Sequence, residues 1–345
     1  MATVTSSVIY GLQQSVSRSK RLGQYTLVEK IGEGNVGAVY RAEHALLRRP
    51  TAIKVLLPDR AGGMNWKRFE REVQMTALLT SEHTVSIYDY GHTPDGVFYY
   101  AMEYLDGIDL EALVERYGPQ PEGRVIDVLR QVCGSLAEAH GLGLIHRDIK
   151  PANIILNHRG GLVDFVKVLD FGLVKAVDTG KEAALTAANC ITGTPLYMSP
   201  EAIEHVDQVG PRSDLYAVGA VGYFLLTGQP VFQGQNMLDL LKLQATAVPQ
   251  PPSQRLGKPV SHDLEHLLLQ CLAKSTDERP ATAGELIERL AACTVSDAWT
   301  PADARKWWDE FDHAGVSGVS IANTGDLAAE ATVNSAATQI VATPR

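Results

Sequence analysis

Residues 144–155 read Leu-Ile-His-Arg-Asp-Ile-Lys-Pro-Ala-Asn-Ile-Ile, and residues 166–172 read Val-Lys-Val-Leu-Asp-Phe-Gly. Two other features precede them in the chain: a glycine-rich stretch at residues 32–39 and a lysine, Lys54, inside an apolar run. Each feature by itself is weak evidence of function. All four in this order are far rarer in a random chain than any single match, so the set decides the fold.

The glycine-rich stretch reads Gly-Glu-Gly-Asn-Val-Gly-Ala-Val from Gly32 to Val39. Glycines at this spacing let backbone N–H groups approach phosphate oxygens without interference from side chains. A Rossmann turn would need a helix directly after Gly37, but residues 38–42 have the composition of a strand. A P-loop would need Lys-Ser or Lys-Thr after that glycine. A glycine loop between two strands is the interpretation that remains.

Lys54 lies in an apolar strand, where a lysine is costly to bury unless an anion meets it. The alternative is an edge lysine whose ammonium group reaches water. A helix predicted near residues 65–79 follows, and on a helical wheel Glu72 sits on its inward side while Glu70 points further round. We expect Glu72 to pair with Lys54 and to hold it against the α- and β-phosphates of a nucleotide.

Short alternating runs rich in Val, Ile and Tyr fill the first part of the chain and predict strands. After residue 107 the apolar residues follow a helical period, and Gly141 lies where a C-cap glycine is expected. A small strand-rich half therefore precedes a larger helical half. The predicted strands are Tyr25–Ile31, Ala38–Ala42, Thr51–Leu56, Val85–Tyr90 and Phe98–Met102.

The stretches at 144–155 and 166–172, the glycine loop and Lys54 together resemble the protein kinase family in kind, order and spacing. The resemblance covers about Leu22 to Cys293 and is nearest to bacterial eukaryotic-like serine/threonine kinases. It implies an α+β, bilobal fold, with a small antiparallel β-sheet lobe that carries one key helix and a larger, mostly α-helical lobe. It also implies transfer of the γ-phosphoryl group of MgATP to serine or threonine hydroxyls of protein substrates.

The resemblance assigns the catalytic and metal roles. Asp148 would accept the proton of the substrate hydroxyl, and Lys150 would contact the transferring phosphate, which is the main reason to expect serine/threonine specificity. Asn153 and Asp170 would hold two Mg²⁺ ions, with Mn²⁺ as an alternative metal, through hard oxygen ligands. Phosphoryl transfer has a loose transition state, so such groups mainly position reactants and neutralise charge.

ATP is expected in the crevice between the lobes. Met102 would be the gatekeeper, and Glu103 and Leu105 would offer backbone groups to adenine. The full set of predicted nucleotide contacts is Ile31, Gly32, Glu33, Gly34, Asn35, Val36, Gly37, Val39, Ala52, Lys54, Glu72, Met102, Glu103 and Leu105.

A polar segment between Asp170 and Glu201 is expected to regulate the enzyme. By resemblance, Arg147 would grip a phosphate on this segment through charge-assisted hydrogen bonds. Thr194 would bond to the catalytic aspartate and lysine. The candidate autophosphorylation sites are Thr186, which is favoured, Thr192 and Thr179, and self-association for phosphorylation in trans is a corresponding expectation.

The resemblance assigns structural roles to Asp214, Glu201 and Arg279. Asp214 would tie a central helix to the backbone of the catalytic loop. From its residue type, Ser213 is expected to be the N-cap of that helix. Glu201 and Arg279 would form an ion pair, whose loss is costly if the pair is buried.

The composition narrows the function further. A net charge of −9 argues against a general affinity for nucleic acid phosphates. Four cysteines lie far apart without a Cys-x-x-Cys pair, so we expect a reducing, cytoplasmic location. The longest uncharged apolar run, Leu215–Leu226, is too short to span a bilayer.

Outside the predicted kinase domain we expect one helix between a flexible leader and a disordered tail, with the helix following the domain. Thr300 and Pro301 make a good helix start, and aromatic residues then recur at helical spacing. The predicted units are a flexible leader (1–22), a kinase domain (23–293) with its small lobe (about 23–102), hinge (103–107) and large lobe (108–293), a Trp-rich helix packed on the large lobe (294–313) and a disordered tail (314–345).

Two other functions compete with a protein kinase. A pseudokinase scaffold would bind nucleotide without turnover, but the presence of Lys54, Asp148, Asn153 and Asp170 argues against it. Phosphorylation of a small molecule would use the same chemistry, but the stretch at 193–201 resembles a platform for a peptide substrate and disfavours this alternative.

Overall fold

The protein folds into two lobes joined near residues 103–107, which confirms the predicted bilobal α+β architecture. A strand-rich lobe precedes a mostly helical lobe. The computed structural model describes residues 21–33, 37–56, 66–93, 97–171, 195–295 and 298–313, with the side chains of residues 66–69, 72 and 313 outside that description.

The small lobe is built on an antiparallel sheet. Among the described residues the sheet has six strands in the order β1-β2-β3-β4-β6-β5. The predicted strands and helix lie within two residues of the observed bounds. The elements are β1 (Arg21–Leu22), β2 (Tyr25–Glu33), β3 (Gly37–His44), β4 (Pro50–Leu56), α1 (Trp66–Ala77), β5 (Ile87–His92) and β6 (Phe98–Glu103).

The glycine-rich stretch connects β2 to β3. A strand rather than a helix begins at Gly37, which excludes the Rossmann alternative. A Cβ atom on Gly37 would lie 1.9 Å from the Val55 carbonyl oxygen of β4. Glycine at this position is therefore required by the close approach of two strands, whatever else the loop does.

The central strands β4 and β6 alternate between two buried faces, as the period of two requires. Their outer-face residues are Ile53, Val55, Tyr99 and Ala101. Their inner-face residues pack with Val73 of α1 and with Ile155 and Leu169 of the large lobe. These inner residues are Ala52, Leu56, Tyr100 and Met102. The inner face thus lines the cleft between the lobes.

The large lobe surrounds one central helix. Its α5 helix is apolar on all sides, and the residues from Ser213 to Thr227 are buried, as expected for a core helix. The elements are β7 (Gly107–Asp109), α2 (Leu110–Tyr117), α3 (Glu122–Gly141), β8 (Ile154–Arg159), β9 (Leu162–Val168), α4 (Pro200–Glu204), α5 (Pro211–Thr227), α6 (Met237–Thr246), α7 (Pro252–Leu256), α8 (His262–Cys271), α9 (Ala283–Ala292) and α10 (Pro301–His313).

None of the helices in the described ranges has the length and apolar character that crossing a bilayer demands. The apolar run at 215–226 lies in the core of the large lobe.

Two predicted helix ends are wrong. Ser213 is the third residue of α5, which begins at Pro211, so its hydroxyl accepts from the Gly210 N–H and does not cap the first turn as an N-cap residue. Gly141 is the last helical residue of α3, and the left-handed glycine follows at Gly143, with φ of 75°. Both errors arise because capping depends on backbone angles rather than on residue type alone.

The C-terminal helix α10 packs against the hairpin of β8 and β9. Its start has reciprocal capping bonds, because the Thr300 hydroxyl accepts from the Asp303 N–H and the Asp303 carboxylate accepts from the Thr300 N–H. Trp308 is buried against this hairpin, with its ring 4.2 Å from that of His158. The helix is therefore part of the folded lobe.

Candidate active site

Lys54 and Asp170 form an ion pair across the cleft between the lobes. Lys54 projects from the inner face of β4, and Asp170 follows β9 in the large lobe. The Tyr100 hydroxyl donates to the other carboxylate oxygen of Asp170 at 2.7 Å. The carboxylate is thus held by one cationic and one neutral donor.

The environment of Asp170 favours its ionised form. Burial alone would raise the pKa of this carboxyl, but the charge and hydrogen bond of Lys54 and the bond from Tyr100 bring the pKa below its usual value. Burial and the nearby Asp170 carboxylate raise the pKa of the Tyr100 phenol well above 10, so the phenol stays a donor at neutral pH.

Asn153 and Asp170 lie at neighbouring ends of two paired strands. Ile154 at the start of β8 pairs with Val168 at the end of β9, and the Leu169 N–H donates to the Asn153 carbonyl at 2.9 Å. Asp170 has φ of 55°, a left-handed angle that aspartate tolerates better than most residues. The hairpin register therefore brings the amide and the carboxylate to one edge of the cleft.

Asp148 is part of the same constellation. The Asn153 side-chain amide nitrogen donates to the Asp148 carboxylate at 2.9 Å and to its carbonyl at 2.8 Å. The Lys150 ammonium lies 3.2 Å from the same carboxylate oxygen. The Asp148 side chain is 28% exposed, so a hydroxyl from solvent or from another protein can reach it.

Asp214 of α5 holds the backbone of the loop that precedes Asp148. Its carboxylate accepts the N–H groups of His146 and Arg147, each at 2.8 Å, and a bond from the His140 ring. Arg147 has φ of 64°, so this loop conformation carries a strained residue that these bonds hold in place. Asp214 occupies the place that the sequence assigned to it.

His146 links the loop to the Asp170 region and is fully buried. Its Nδ1 accepts from the Asp148 N–H, and its Nε2 lies 2.7 Å from the Leu169 carbonyl oxygen, so Nε2 carries the proton. Burial lowers the pKa of this imidazole, which keeps the ring neutral. The His146 ring thus connects the backbone at Asp148 to the backbone at Leu169, next to Asp170.

An apolar pocket lies beside these polar groups. Five of its lining residues belong to the predicted nucleotide set, namely Ile31, Ala52, Met102, Glu103 and Leu105. The pocket is also lined by Tyr104, Ile155 and Leu169, which are not among the predicted nucleotide contacts. Ile155 stands two residues after Asn153 in an apolar strand, and this alternation was the signal that could have found it.

The Glu103 side chain forms contacts within the protein that leave it unavailable to a nucleotide. Its carboxylate is buried and pairs with Lys167 and Arg159, each at 2.6 Å, and it accepts the Ser86 N–H. Burial would raise the pKa of Glu103, but the hydrogen bonds from Lys167, Ser86 and Arg159 outweigh burial and lower it. Only its backbone is available to a ligand in the pocket.

Glu201 and Arg279 form a bidentate ion pair at 2.7 and 2.8 Å, with the Arg279 side chain fully buried. Ser213 donates a further bond to Glu201 at 2.6 Å. Burial would raise the pKa of Glu201, but the bonds from Arg279 and Ser213 lower it. This pair ties α4 to the loop before α9.

Other predicted residues are placed only in part. Val39 belongs to the inner-face cluster, and Gly32 and Glu33 lie at the end of β2. The remaining predictions fall on side chains or residues outside the described ranges: Gly34, Asn35, Val36, the Glu72 side chain, Thr179, Thr186, Thr192 and Thr194.

A family profile described as "Protein kinase domain" matches residues 25–290. The chain belongs to the protein kinase family. Members of this family generally use ATP and a divalent metal ion and act on proteins.

Two curated proteins that are similar to this chain come from bacteria. It is 40% identical over 275 residues to the serine/threonine-protein kinase pkn3 of Myxococcus xanthus, covering 78% of this chain and 50% of that protein. It is 39% identical over 268 residues to PknB of Mycobacterium tuberculosis, covering 76% and 42%. The chain thus spans about half the length of these relatives or less.

A solved structure also resembles this kinase. The kinase domain of Mycobacterium tuberculosis PknI, in a C20A_R136A double mutant, has a TM-score of 0.62 and 26% sequence identity, covering 79% of this chain and 96% of that one.

Proposed function

We propose that this chain transfers the γ-phosphoryl group of MgATP to serine or threonine hydroxyls of protein substrates. The observation that supports it most is the convergence of Lys54, Asp148, Asn153 and Asp170 on one cleft beside an apolar pocket. The pocket suits a flat apolar ring, and the polar edge suits phosphates and metal.

The residues at the edge fit Mg²⁺. Both side-chain hydrogen bonds found for Asn153 among the described residues use its amide nitrogen, so the amide oxygen remains available as a ligand. Asp170 offers an ionised carboxylate. The described residues gather no set of three His, Cys, Asp or Glu side chains that could hold a metal. Nucleotide phosphates and water would complete the coordination, as is usual for Mg²⁺.

Asp148 would act on the incoming hydroxyl. Its carboxylate is exposed enough to accept a hydrogen bond from the substrate and to take the proton as the oxygen attacks phosphorus. Asn153 holds this carboxylate in place, and Lys150 is close enough to neutralise charge on the transferring phosphoryl group. Lys54 would exchange its bond with Asp170, in whole or in part, for the α- and β-phosphates.

The remaining assignments extend this proposal. Backbone groups of Glu103 and Leu105 would bind adenine, and Glu72 would support Lys54. We also propose autophosphorylation on Thr186, Thr192 or Thr179, with self-association in trans, and a cytoplasmic site of action, where widely spaced free cysteines stay reduced.

Transfer of radiolabel from [γ-³²P]ATP to a generic basic protein tests the function. Wild type should label the substrate, and Asp148→Asn should lower the rate by about 10²–10⁴-fold because the general base is lost. Asp277→Asn, at an exposed carboxylate outside the cleft, is the matched control and should label normally.

Equal labelling by wild type and Asp148→Asn would contradict the role of Asp148. Binding of ADP without any labelling by wild type would favour the pseudokinase alternative. Mass spectrometry of protein expressed beside a Lys54→Met control tests autophosphorylation, and an active enzyme without phosphate on residues 175–194 would contradict it.

A further inference from the structure

Tyr100 is a buried polar residue in the cleft that the proposed chemistry leaves unexplained. It is 1% exposed and stands in the middle of β6, directly opposite Lys54 in the register of β4 and β6. Side chains opposite one another in an antiparallel pair lie on the same face of the sheet. The phenol and the ammonium therefore reach the cleft side by side.

The two side chains divide the Asp170 carboxylate between them. Tyr100 donates to Oδ1 at 2.7 Å, and Lys54 binds Oδ2. The Tyr100 ring belongs to the same buried apolar cluster as Val73, Val85 and Leu169. A ring held in this way has one accessible position for its hydroxyl, whereas a lysine has a flexible stem.

We propose that Tyr100 is a positioning residue that fixes the orientation of the Asp170 carboxylate for metal binding. The inference rests on the proposed function, in which Asp170 is a ligand of the Mg²⁺ that accompanies ATP. When phosphates draw Lys54 away, Asp170 loses its cationic partner. The Tyr100 hydroxyl does not need to move, so it keeps one carboxylate oxygen and leaves the other directed at the metal.

The expected size of this effect follows from other metal sites. Groups that hydrogen-bond a ligating carboxylate orient it, and their removal typically costs 10–100-fold in metal affinity. Tyr100→Phe removes only the hydroxyl and keeps the ring that fills the apolar cluster. The loss should therefore appear in the metal dependence and not in the packing of the adenine pocket.

Calorimetric titration with ADP, first in EDTA and then over a series of Mg²⁺ concentrations, tests the proposal. For Tyr100→Phe, the ADP affinity in EDTA should stay within about twofold of wild type. The Mg²⁺ concentration that gives the half-maximal gain in ADP affinity should rise about tenfold or more. Tyr99→Phe is the matched control, because Tyr99 is the neighbouring residue on the outer face, and it should behave as wild type.

Phosphoryl transfer gives a second readout. Raising Mg²⁺ should restore the rate of Tyr100→Phe to within about threefold of wild type, which a variant damaged in its fold would not show. An unchanged Mg²⁺ dependence of ADP binding in Tyr100→Phe would overturn the proposal. If wild type itself binds neither ADP nor MgADP, the proposed function fails instead, so the two failures are distinguishable.

A measurement that keeps the hydroxyl covers the case in which Tyr100→Phe does not fold. Site-specific incorporation of 3-fluorotyrosine at position 100 places a ¹⁹F reporter beside the Asp170 carboxylate. Its resonance should shift when Mg²⁺ is added to the ADP complex, and the same label at position 99 should not respond. A position-100 signal that ignores Mg²⁺ would also overturn the proposal.

Discussion

The indole nitrogen of Trp308 donates a hydrogen bond of 2.8 Å to the Asp164 carboxylate, 144 residues earlier in the chain. Trp299 donates a second bond at 2.7 Å, and the buried Arg124 guanidinium donates two more at 2.7 and 3.0 Å. Both tryptophans lie beyond residue 290, where the match to the protein kinase family ends. The C-terminal segment 298–313 therefore completes a buried polar cluster of the kinase domain.

Replacing Trp308 should destabilise the domain. Trp308→Phe keeps much of the apolar contact but removes a donor to a buried carboxylate, so we expect a loss of about 1.5–3 kcal/mol in unfolding free energy. Trp308→Ala adds a cavity and should lose about 3–5 kcal/mol or more. Urea unfolding measures both. Glu310→Gln, on the exposed side of the same helix, is the control and should change little. A Trp308→Phe protein as stable as wild type would show that the hydrogen bond to Asp164 contributes nothing to stability.

Arg279→Lys should show that a buried ion pair contributes more to stability than an exposed one. Lysine keeps the charge but cannot form the bidentate contact with Glu201, and it leaves the carbonyls of Ala273 and Lys274 without their donor. We expect a loss of about 3–5 kcal/mol. The control is Arg212→Lys, whose partner Asp277 has an 89% exposed side chain, and it should cost less than about 0.5 kcal/mol. Equal losses in the two variants would show that burial of the pair does not matter.

Gly37→Ala tests whether the last glycine of the loop is required by packing. Its Cβ would collide with the backbone of β4, which cannot move aside as a flexible side chain can. We expect a loss of stability of about 2 kcal/mol or more, seen by thermal unfolding without nucleotide. The control is Gly141→Ala, where nothing lies within 4 Å and helix propensity favours alanine by about 0.5–1 kcal/mol. If Gly37→Ala loses only nucleotide affinity, its glycine serves phosphate alone.

Much of the fold and of the site could be predicted because it depends on residues that are close together in the sequence. Alternation located the strands of the small lobe, and the stretches 144–155 and 166–172 contain Asp148, Asn153 and Asp170 within short separations. Asn153 and Asp170 flank one hairpin, whose register is set by the two-residue connection Gly160-Gly161 and by a bulge between Asn157 and Arg159.

The parts that could not be predicted depend on long-range register. Tyr100 looks like any apolar member of an alternating strand, and it becomes a partner of Asp170 only because β6 pairs with β4 in one register. In the same way, nothing near Asp164 indicates that a tryptophan 144 residues later will donate to it. A one-residue slip of β6 or of β9 would have turned Tyr100 or Asp164 to the opposite face of its sheet.

The start of α2 carries a buried carboxyl whose ionisation should make stability depend on pH. Asp109 is 1% exposed, and one carboxylate oxygen caps the helix by accepting the Ala112 N–H at 2.8 Å. Its other oxygen is buried and finds no hydrogen-bond partner in the described part of the chain. Burial raises the pKa of this carboxyl from 3.8 to about 6, against the smaller opposing effect of the capping bond.

A raised pKa in the folded state means that folding is favoured while Asp109 is protonated. The stability from this group is fully present below the unfolded pKa and is lost as the pH rises through about 6. Asp109→Asn keeps a good capping side chain without the charge. The unfolding free energy of Asp109→Asn relative to wild type should therefore increase by about 1.4 kcal/mol between pH 5 and pH 7.5.

Urea unfolding of both proteins at the two pH values measures this difference, and other titrating groups cancel because they are common to both. Asp207→Asn, at an exposed position of the large lobe, is the control and should differ from wild type by the same amount at both pH values. If the difference between Asp109→Asn and wild type were also the same at both pH values, burial would not raise the pKa of Asp109 in the folded protein. An increase restricted to Asp109→Asn would assign the change to the charge on the buried Asp109 carboxylate.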